Sequence, residues 1–164
     1  QRLFQFATQP LSILNAPLWG AYADAHVRHD KLFIRNTLKH SLVITFVVAS
    51  LSALFLFIFH SWLIEKWTHG SIVAPAIFVA AYAIWVVLET CGSAFSMFLN
   101  GAGVIRAQVS TVMLFIVLVL PMKLVFINYF GLMGLPLAAV ISYVIALSSL
   151  YGIVYREEIA QKFR

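Results

Sequence analysis

Charged side chains are scarce in this sequence. Asp, Glu, Lys and Arg together make up 10% of its 164 residues, against about 25% in soluble domains. Hydrophobic residues make up 62%, against roughly 45–50% in soluble domains. This balance excludes an ordinary water-soluble domain and indicates that lipid surrounds most of the chain.

Cysteines, metal-binding clusters and nucleotide-binding loops are also missing or nearly so. The single cysteine, Cys91, lies inside an apolar run and has no partner for an internal disulfide. The segment 24–31 holds two His and two Asp, but no second cluster completes a metal site, and no metal is expected. No glycine-rich phosphate-binding loop occurs, so no nucleotide cofactor is predicted, and no other cofactor is expected.

Five long apolar runs occupy nearly all of the sequence. They cover residues 3–23, 42–59, 72–99, 107–127 and 132–154. A helix needs about 20 residues to cross the hydrocarbon core of a bilayer, so each run is long enough or nearly so. The sequence therefore predicts an all-α, multi-pass transmembrane bundle with five membrane-spanning helices in a single membrane domain, 1–164.

Basic residues are concentrated on one side of the predicted membrane. If the spans alternate, eight Lys and Arg share one side, only Arg2 and Lys66 lie on the other, and Lys123 is inside a span. Cytoplasmic segments carry an excess of Lys and Arg. The segments 24–40 and 100–106 and the C-terminus are therefore predicted to face the cytoplasm, next to anionic membrane lipids. The net charge of +5 reflects this topology, and no nucleic-acid partner is expected.

The beginning of the chain points to a longer protein. There is no initial methionine, and the first run lacks the basic segment and the small-residue cleavage site of a signal peptide. The predicted number of spans is odd, which puts the N-terminus outside the cell, and the sequence begins directly with a helix. We expect a C-terminal fragment.

Polar side chains follow one face of the first run. They recur at spacings of three and four residues, which places them on one side of a helix. They are Gln5, Thr8, Ser12, Asn15, Trp19 and Tyr22, with Gln9 adjacent. Two interpretations stay open: a helix packed inside a bundle with its amides bonded to neighbours, and a helix that lines a transport cavity.

Glu89 is the only charged residue in the third run and stands near its middle. Ser93 and Asn100 follow it on the same helical face. A carboxylate at this depth costs at least ~2.5 kcal/mol, so it is expected to face the bundle interior or water. Three uses stay open: a neutral hydrogen bond to a neighbouring helix, proton coupling, and cation binding.

Lys123 is the only charged residue in the fourth run. At 1.5 Å per residue it is expected about 9 Å outward of the centre of its span, with Glu89 about 5 Å inward, so a direct salt bridge is not predicted. Lys123 is expected to reach the outer interface by extending its side chain. Anion binding in a cavity is the alternative.

Three short motifs occur in a fixed order along the chain. They are Pro17-Leu-Trp-Gly-Ala-Tyr-Ala-Asp24 running into Arg28-His-Asp30, then Phe98-Leu-Asn-Gly-Ala-Gly103 with Arg106 and Gln108, and last Gly131-Leu-Met-Gly-Leu-Pro-Leu-Ala-Ala-Val-Ile-Ser142. Together they resemble the polysaccharide (O-antigen) flippases of the multidrug/oligosaccharidyl-lipid/polysaccharide exporter superfamily. That family often shows Arg-Gly-Asp in the first motif, where this chain has His29 in place of the glycine. The resemblance spans the whole chain, as five helices of a C-terminal lobe.

The resemblance implies a flippase of the bacterial cytoplasmic (inner) membrane. Two six-helix lobes, one of them formed mostly by this chain, would rock about a central cavity by alternating access. The sugar and pyrophosphate of a polyprenyl-pyrophosphate-linked O-antigen or polysaccharide unit would cross in that cavity, while the polyprenyl tail stays in lipid. Glycan polymerases are further implied partners, and coupling to protons or to sodium stays open.

The candidate cavity and coupling residues are Glu89, Gln5, Gln9, Asn15, Ser93, Asn100 and Lys123. Two other functions stay open. A cation-coupled multidrug exporter of the same superfamily would share the architecture, with more aromatic and carboxylate groups in its cavity. A multi-pass glycan polymerase or glycosyltransferase would need a catalytic loop outside the membrane. The longest predicted outer loop is only 60–70, so the protein is not expected to be an enzyme.

Overall fold

The computed structural model describes residues 2–69 and 75–150, and these residues are helical throughout apart from short turns, with no strand among them. The helices are α1 (Arg2–Asn15), α2 (Leu18–Val27), α3 (Lys31–Ile58), α4 (His60–Thr68), α5 (Ala76–Gly101), α6 (Ile105–Phe130) and α7 (Gly134–Leu150). A 3-10 turn, Gly131–Met133, joins the last two. The predicted all-α class is confirmed for this part of the chain.

Among the residues that the structure describes, three stretches are long and apolar enough to cross a membrane. They are Lys31–Ile58, Ala76–Gly101 and Ile105–Ser148. The third stretch is 44 residues long and turns back on itself at Gly131, so that α6 and α7 pack antiparallel. The Ser142 hydroxyl donates a hydrogen bond to the Met122 sulfur across this pair, at 3.2 Å. The chain thus has the helices of a membrane protein, and the count of five crossings stays a prediction.

The first predicted span, 3–23, is interrupted. α1 ends at Asn15 and α2 begins at Leu18, because Pro17 has no N–H with which to continue the helical hydrogen bonds. Backbone hydrogen bonds through Ala16 connect the two helices. α2 then runs four residues beyond the predicted end, so the first run forms two consecutive helices.

The second predicted span, 42–59, is part of a longer helix. α3 begins at Lys31, where the Asp30 side chain accepts a hydrogen bond from the Phe33 N–H at 2.9 Å. A carboxylate at this position satisfies one of the free N–H groups of the first turn. The basic segment before residue 42 and the apolar run after it therefore form one continuous helix of 28 residues.

The predicted outer loop at 60–70 is mostly helical. α4 occupies His60–Thr68 and ends at His69, which adopts a left-handed conformation with φ 50°. No glycine or proline occurs between residues 59 and 69 to break a helix, and the aromatic content that indicates an interface does not indicate an irregular backbone. Gly70 lies outside the described residues.

The remaining predicted spans agree with helices to within a few residues. α5 ends at Gly101, and α6 extends the run at 107–127 by two to three residues at each end. α7 ends the described part of the chain, so the end of the run at 132–154 lies outside it, as do residues 72–74 of the third run. The C-terminal tail with its predicted cytoplasmic position also lies outside the described residues.

One buried cluster joins four helices at the same end of the bundle. Tyr22 from α2 packs edge-to-face on Phe98 from α5, with ring centroids 5.6 Å apart. The buried members are Tyr22, Ala25, Ile34, Phe98, Leu99, Ala102, Val104 and Ala107. Because these residues lie in or beside the segments 24–40 and 100–106, both segments are at one end of the molecule, as alternating spans require.

Candidate functional site

A groove of about 390 Å³ runs between α1 and α5, and its lining is polar. We call it the polar groove. It is lined by Gln5, Thr8, Gln9, Ser12, Asn15, Glu89, Thr90 and Ser93. Five of the seven candidate residues from the sequence are therefore brought together in one place, although they come from two helices that are separated by about 80 residues of chain.

The polar groove forms where the polar face of α1 borders α5 on the open side of the contact between the two helices. Side chains three and four residues apart share one side of a helix, so the polar positions of α1 form a continuous stripe. Phe4 of α1 packs in a buried cluster with Val79 and Val86 of α5, which fixes how the two helices meet. Glu89 and Ser93 lie one turn apart on α5 and complete the opposite wall of the groove.

Several hydroxyl groups in the groove donate to their own helices. The Thr8 hydroxyl donates to the Phe4 carbonyl at 3.1 Å, and the Ser12 hydroxyl donates to the Gln9 carbonyl at 2.7 Å. On α5, Thr90 donates to Val86 at 2.6 Å. These hydroxyl protons are therefore used within the helices, and the hydroxyl oxygens can accept hydrogen bonds from groups in the groove.

The amides of the first helix divide into two kinds. Asn15 is buried and donates from Nδ2 to the hydroxyl oxygen of Thr45 on α3, at 3.0 Å. Gln5 and Gln9 are exposed, and neither side chain has a hydrogen-bond partner among the described residues. Asn15 therefore behaves as a packed amide that closes one end of the groove, whereas Gln5 and Gln9 offer free donors and acceptors.

Glu89 brings the only formal charge into the polar groove. Its side chain is exposed there. No basic residue lines the groove. Such a lining suits groups that both donate and accept hydrogen bonds, together with a proton or a cation at the carboxylate.

Asn100 and Lys123 do not line the polar groove. Asn100 lies about two helical turns beyond Ser93, at the end of α5, where its carbonyl accepts from the Gly103 N–H at 3.1 Å. Lys123 lies on α6, which takes no part in the groove. Within the described ranges, no group of three or more His, Cys, Asp and Glu could hold a metal ion.

Two threonines of the site, Thr90 and Thr45, belong to no pattern that the sequence analysis singled out. Thr90 lines the groove beside Glu89, and Thr45 holds the Asn15 amide from α3 while being 1% exposed. A single threonine in an apolar run is a weak signal, because its hydroxyl can be satisfied by its own helix backbone. Only the packing of three helices identifies Thr45 as part of the site.

Three aromatic rings join α5, α6 and α7 on the side of Trp85. Trp85 stacks on Phe115 at 5.8 Å between ring centroids, and Tyr143 meets both rings edge-on at 5.6 and 5.7 Å. Aromatic pairs in these arrangements stabilise a contact beyond the burial of their area. The cluster therefore fixes the helix that carries Glu89 against the α6–α7 pair.

No family model, curated protein or solved structure matches this chain.

Proposed function

We propose that this chain forms most of one lobe of a carrier that moves a lipid-linked oligosaccharide across the bacterial cytoplasmic membrane by alternating access. The observation that carries the proposal is the polar groove, a lining of amides, hydroxyls and one carboxylate in a chain with membrane-spanning helices. The three motifs that resemble polysaccharide flippases name the substrate class. A groove of about 390 Å³ is within the usual range of ligand sites.

The chemistry of the groove fits the sugar part of such a substrate. Sugar hydroxyls both donate and accept, and the free amides of Gln5 and Gln9 do the same. Moving hydroxyls through hydrocarbon without partners would cost several kcal/mol each, and a polar wall removes most of that cost. Because the lining has no basic group, the pyrophosphate would find its partners elsewhere in the intact carrier.

The proposal counts five crossings. The consecutive helices α1 and α2 together would make one crossing, α3, α5, α6 and α7 would make one each, and α4 would lie at the outer interface. The helices α2 and α3 meet at the segment 24–40, which lies at the same end of the bundle as the segment 100–106. This arrangement supports a common side of the membrane for both segments, which the proposal takes to be the cytoplasmic side because of their basic residues.

The turn at His29 also supports the resemblance. His29 has φ 57°, in the left-handed region that glycine adopts most easily. The related flippases often have glycine at this position of the motif. The turn that the glycine would provide is therefore kept in this chain, and the Asp30 that follows caps α3 as described above.

The proposal predicts a specific phenotype for loss of the gene. A strain without it should accumulate lipid-linked oligosaccharide inside the cell and lose its surface polysaccharide, and the intact gene should restore both. Lipid extracts and surface-polysaccharide gels measure the two effects. Unchanged polysaccharide combined with a raised sensitivity to cationic drugs would instead identify a multidrug exporter.

The polar groove is predicted to contain water. In a background without Cys91, single cysteines at Gln5, Gln9 and Ser12 should react with a membrane-impermeant thiol reagent. Matched cysteines at Phe6 and Leu14, whose side chains are 79% and 69% exposed on the other side of α1, should face lipid and stay unlabelled.

The increase in protein mass after labelling would measure the reaction of the groove cysteines and of the matched lipid-facing cysteines. Equal protection of all five positions would mean that α1 is packed in a dry interior of the intact protein, and the groove would then not be part of a transport cavity.

A further inference from the structure

The helix α3 is longer than the hydrocarbon core of a membrane. Its 28 residues span about 42 Å at 1.5 Å per residue, whereas the core is about 30 Å thick. About eight residues must therefore lie outside the hydrocarbon. The apolar run begins at residue 42, so the part outside is the N-terminal part of the helix.

This N-terminal part carries Lys31, Arg35 and Lys39, which are four residues apart and exposed. Arg28 is also exposed and lies just before the helix, in the turn after α2; we call these four residues together the basic stripe. Residues four apart on a helix lie on one face, about 6 Å apart along the axis. Arg35 and Lys39 form no ion pair with any residue in the described ranges.

Few acidic groups at this end of the bundle oppose the stripe. The segments 24–40 and 100–106 contain five basic and two acidic residues. Asp24 pairs with Arg28 at 2.8 Å, and the Asp30 side chain accepts from the backbone at the start of α3. Arg106, the one of these five basic residues that lies outside the basic stripe, is exposed on α6. The surface at this end of the molecule therefore carries a net positive charge.

Apolar side chains lie exposed beside the same stripe. Val27 is 78% exposed, Leu32 75% and Phe33 42%. Next to an acidic protein or nucleic acid in water, these side chains would stay in contact with solvent. At the boundary between headgroups and acyl chains, the apolar groups enter the acyl layer while the basic groups stay among the headgroups.

We propose that the basic stripe binds the phosphate-bearing headgroups of anionic phospholipids in the surrounding leaflet. Basic residues near a membrane surface each strengthen binding to anionic lipid about five-fold at ordinary ionic strength. The spacing of Arg35 and Lys39 lets the two side chains reach neighbouring headgroups. This site is on the outside of the bundle and does not depend on the polar groove.

The experiment is a titration of the purified full chain in detergent with a fluorescent phosphatidylglycerol. The double variant Arg35→Gln/Lys39→Gln should raise the apparent Kd about 25-fold, the product of two five-fold losses. Lys66→Gln, which removes a basic residue from α4, should leave the Kd unchanged. A fluorescent phosphatidylcholine of the same chain length should bind weakly to all variants. High salt should weaken the binding of phosphatidylglycerol and leave the binding of phosphatidylcholine unchanged.

Two further measurements keep the outcome decisive. The charge-preserving variant Arg35→Lys/Lys39→Arg should bind as tightly as the original chain, and circular dichroism checks that each variant is folded. A phosphatidylglycerol Kd unaffected by Arg35→Gln/Lys39→Gln would overturn the proposal. So would displacement of the lipid by millimolar inorganic pyrophosphate or by polyglutamate, which would identify a soluble anion or an acidic polymer as the ligand.

Discussion

Replacing Glu89 with Gln is expected to abolish the restoration of surface polysaccharide in a strain that lacks the gene. Gln keeps the shape of the side chain and its ability to form hydrogen bonds, but it has no charge and takes up no proton. Glu89 is the only charged group in the polar groove, so no neighbouring side chain can replace its titration. If transport is coupled through this carboxylate, the variant should reach the membrane at normal levels and still fail to transport.

Two controls separate coupling from damage to the fold. Glu65→Gln makes the same chemical change on α4, where Glu65 is exposed and away from the groove, and should restore polysaccharide fully. Glu89→Asp keeps the titrating group on a shorter side chain and should restore it in part. Full restoration by Glu89→Gln would show that the side chain is only a neutral hydrogen-bonding partner, and coupling through it should then be abandoned.

Glu89 lies on the open side of the groove, facing the side of α1 that carries the glutamine amides. Under the proposed function, a proton or a cation would reach the carboxylate from that side.

The residues of the polar groove could be predicted because polarity in an apolar run is a strong signal. Gln5 and Gln9 stand out against their neighbours, and helical periodicity alone puts the polar positions of α1 on one face. Glu89 is recognisable for the same reason, since a buried charge in lipid is costly. Periodicity gives the face of each helix, but it does not tell which helices pack together.

The parts of the fold that sequence reasoning missed depend on contacts between distant residues or on local backbone geometry. Thr45 gains its role from a hydrogen bond to a residue 30 positions away. The break between α1 and α2 occurs at Pro17, which cannot donate a backbone hydrogen bond, and α4 forms where no such residue interrupts the helix. Hydropathy does not measure either effect. Asn100 shares the helical face of Glu89 by its spacing, but it lies too far along α5 to line the groove.

The contact between Gly92 and Tyr143 joins α5 to α7 and could not be seen in the sequence. The Tyr143 hydroxyl lies where a side chain at Gly92 would begin, so α7 can approach α5 this closely only at a glycine. Small residues let membrane helices come together in this way, and packing rather than the hydrophobic effect then holds them. The same contact supports the aromatic cluster at Trp85, one helical turn before Glu89.

Gly92→Ala is therefore expected to destabilise the protein. Alanine normally stabilises a helix by roughly 0.5–1 kcal/mol relative to glycine, and Gly20→Ala should show this gain because nothing lies within 4 Å of the added methyl group. At Gly92 the methyl group overlaps the Tyr143 hydroxyl, and overpacking of this kind costs about 1–3 kcal/mol. Unfolding in mixed micelles by titration with a denaturing detergent measures both free energies.

The double variant Gly92→Ala/Tyr143→Phe tests whether the hydroxyl is the cause. Without the hydroxyl, the nearest Tyr143 atom is the ring carbon Cζ at 3.0 Å, which has to move by only a few tenths of an ångström. The second substitution should therefore recover most of the free energy of unfolding that Gly92→Ala loses. Tyr143→Phe alone should not raise the free energy of unfolding above that of the original chain. A Gly92→Ala protein as stable as Gly20→Ala would show that α7 does not pack on α5 at this point, and Glu89 would then lose the support that the aromatic cluster provides.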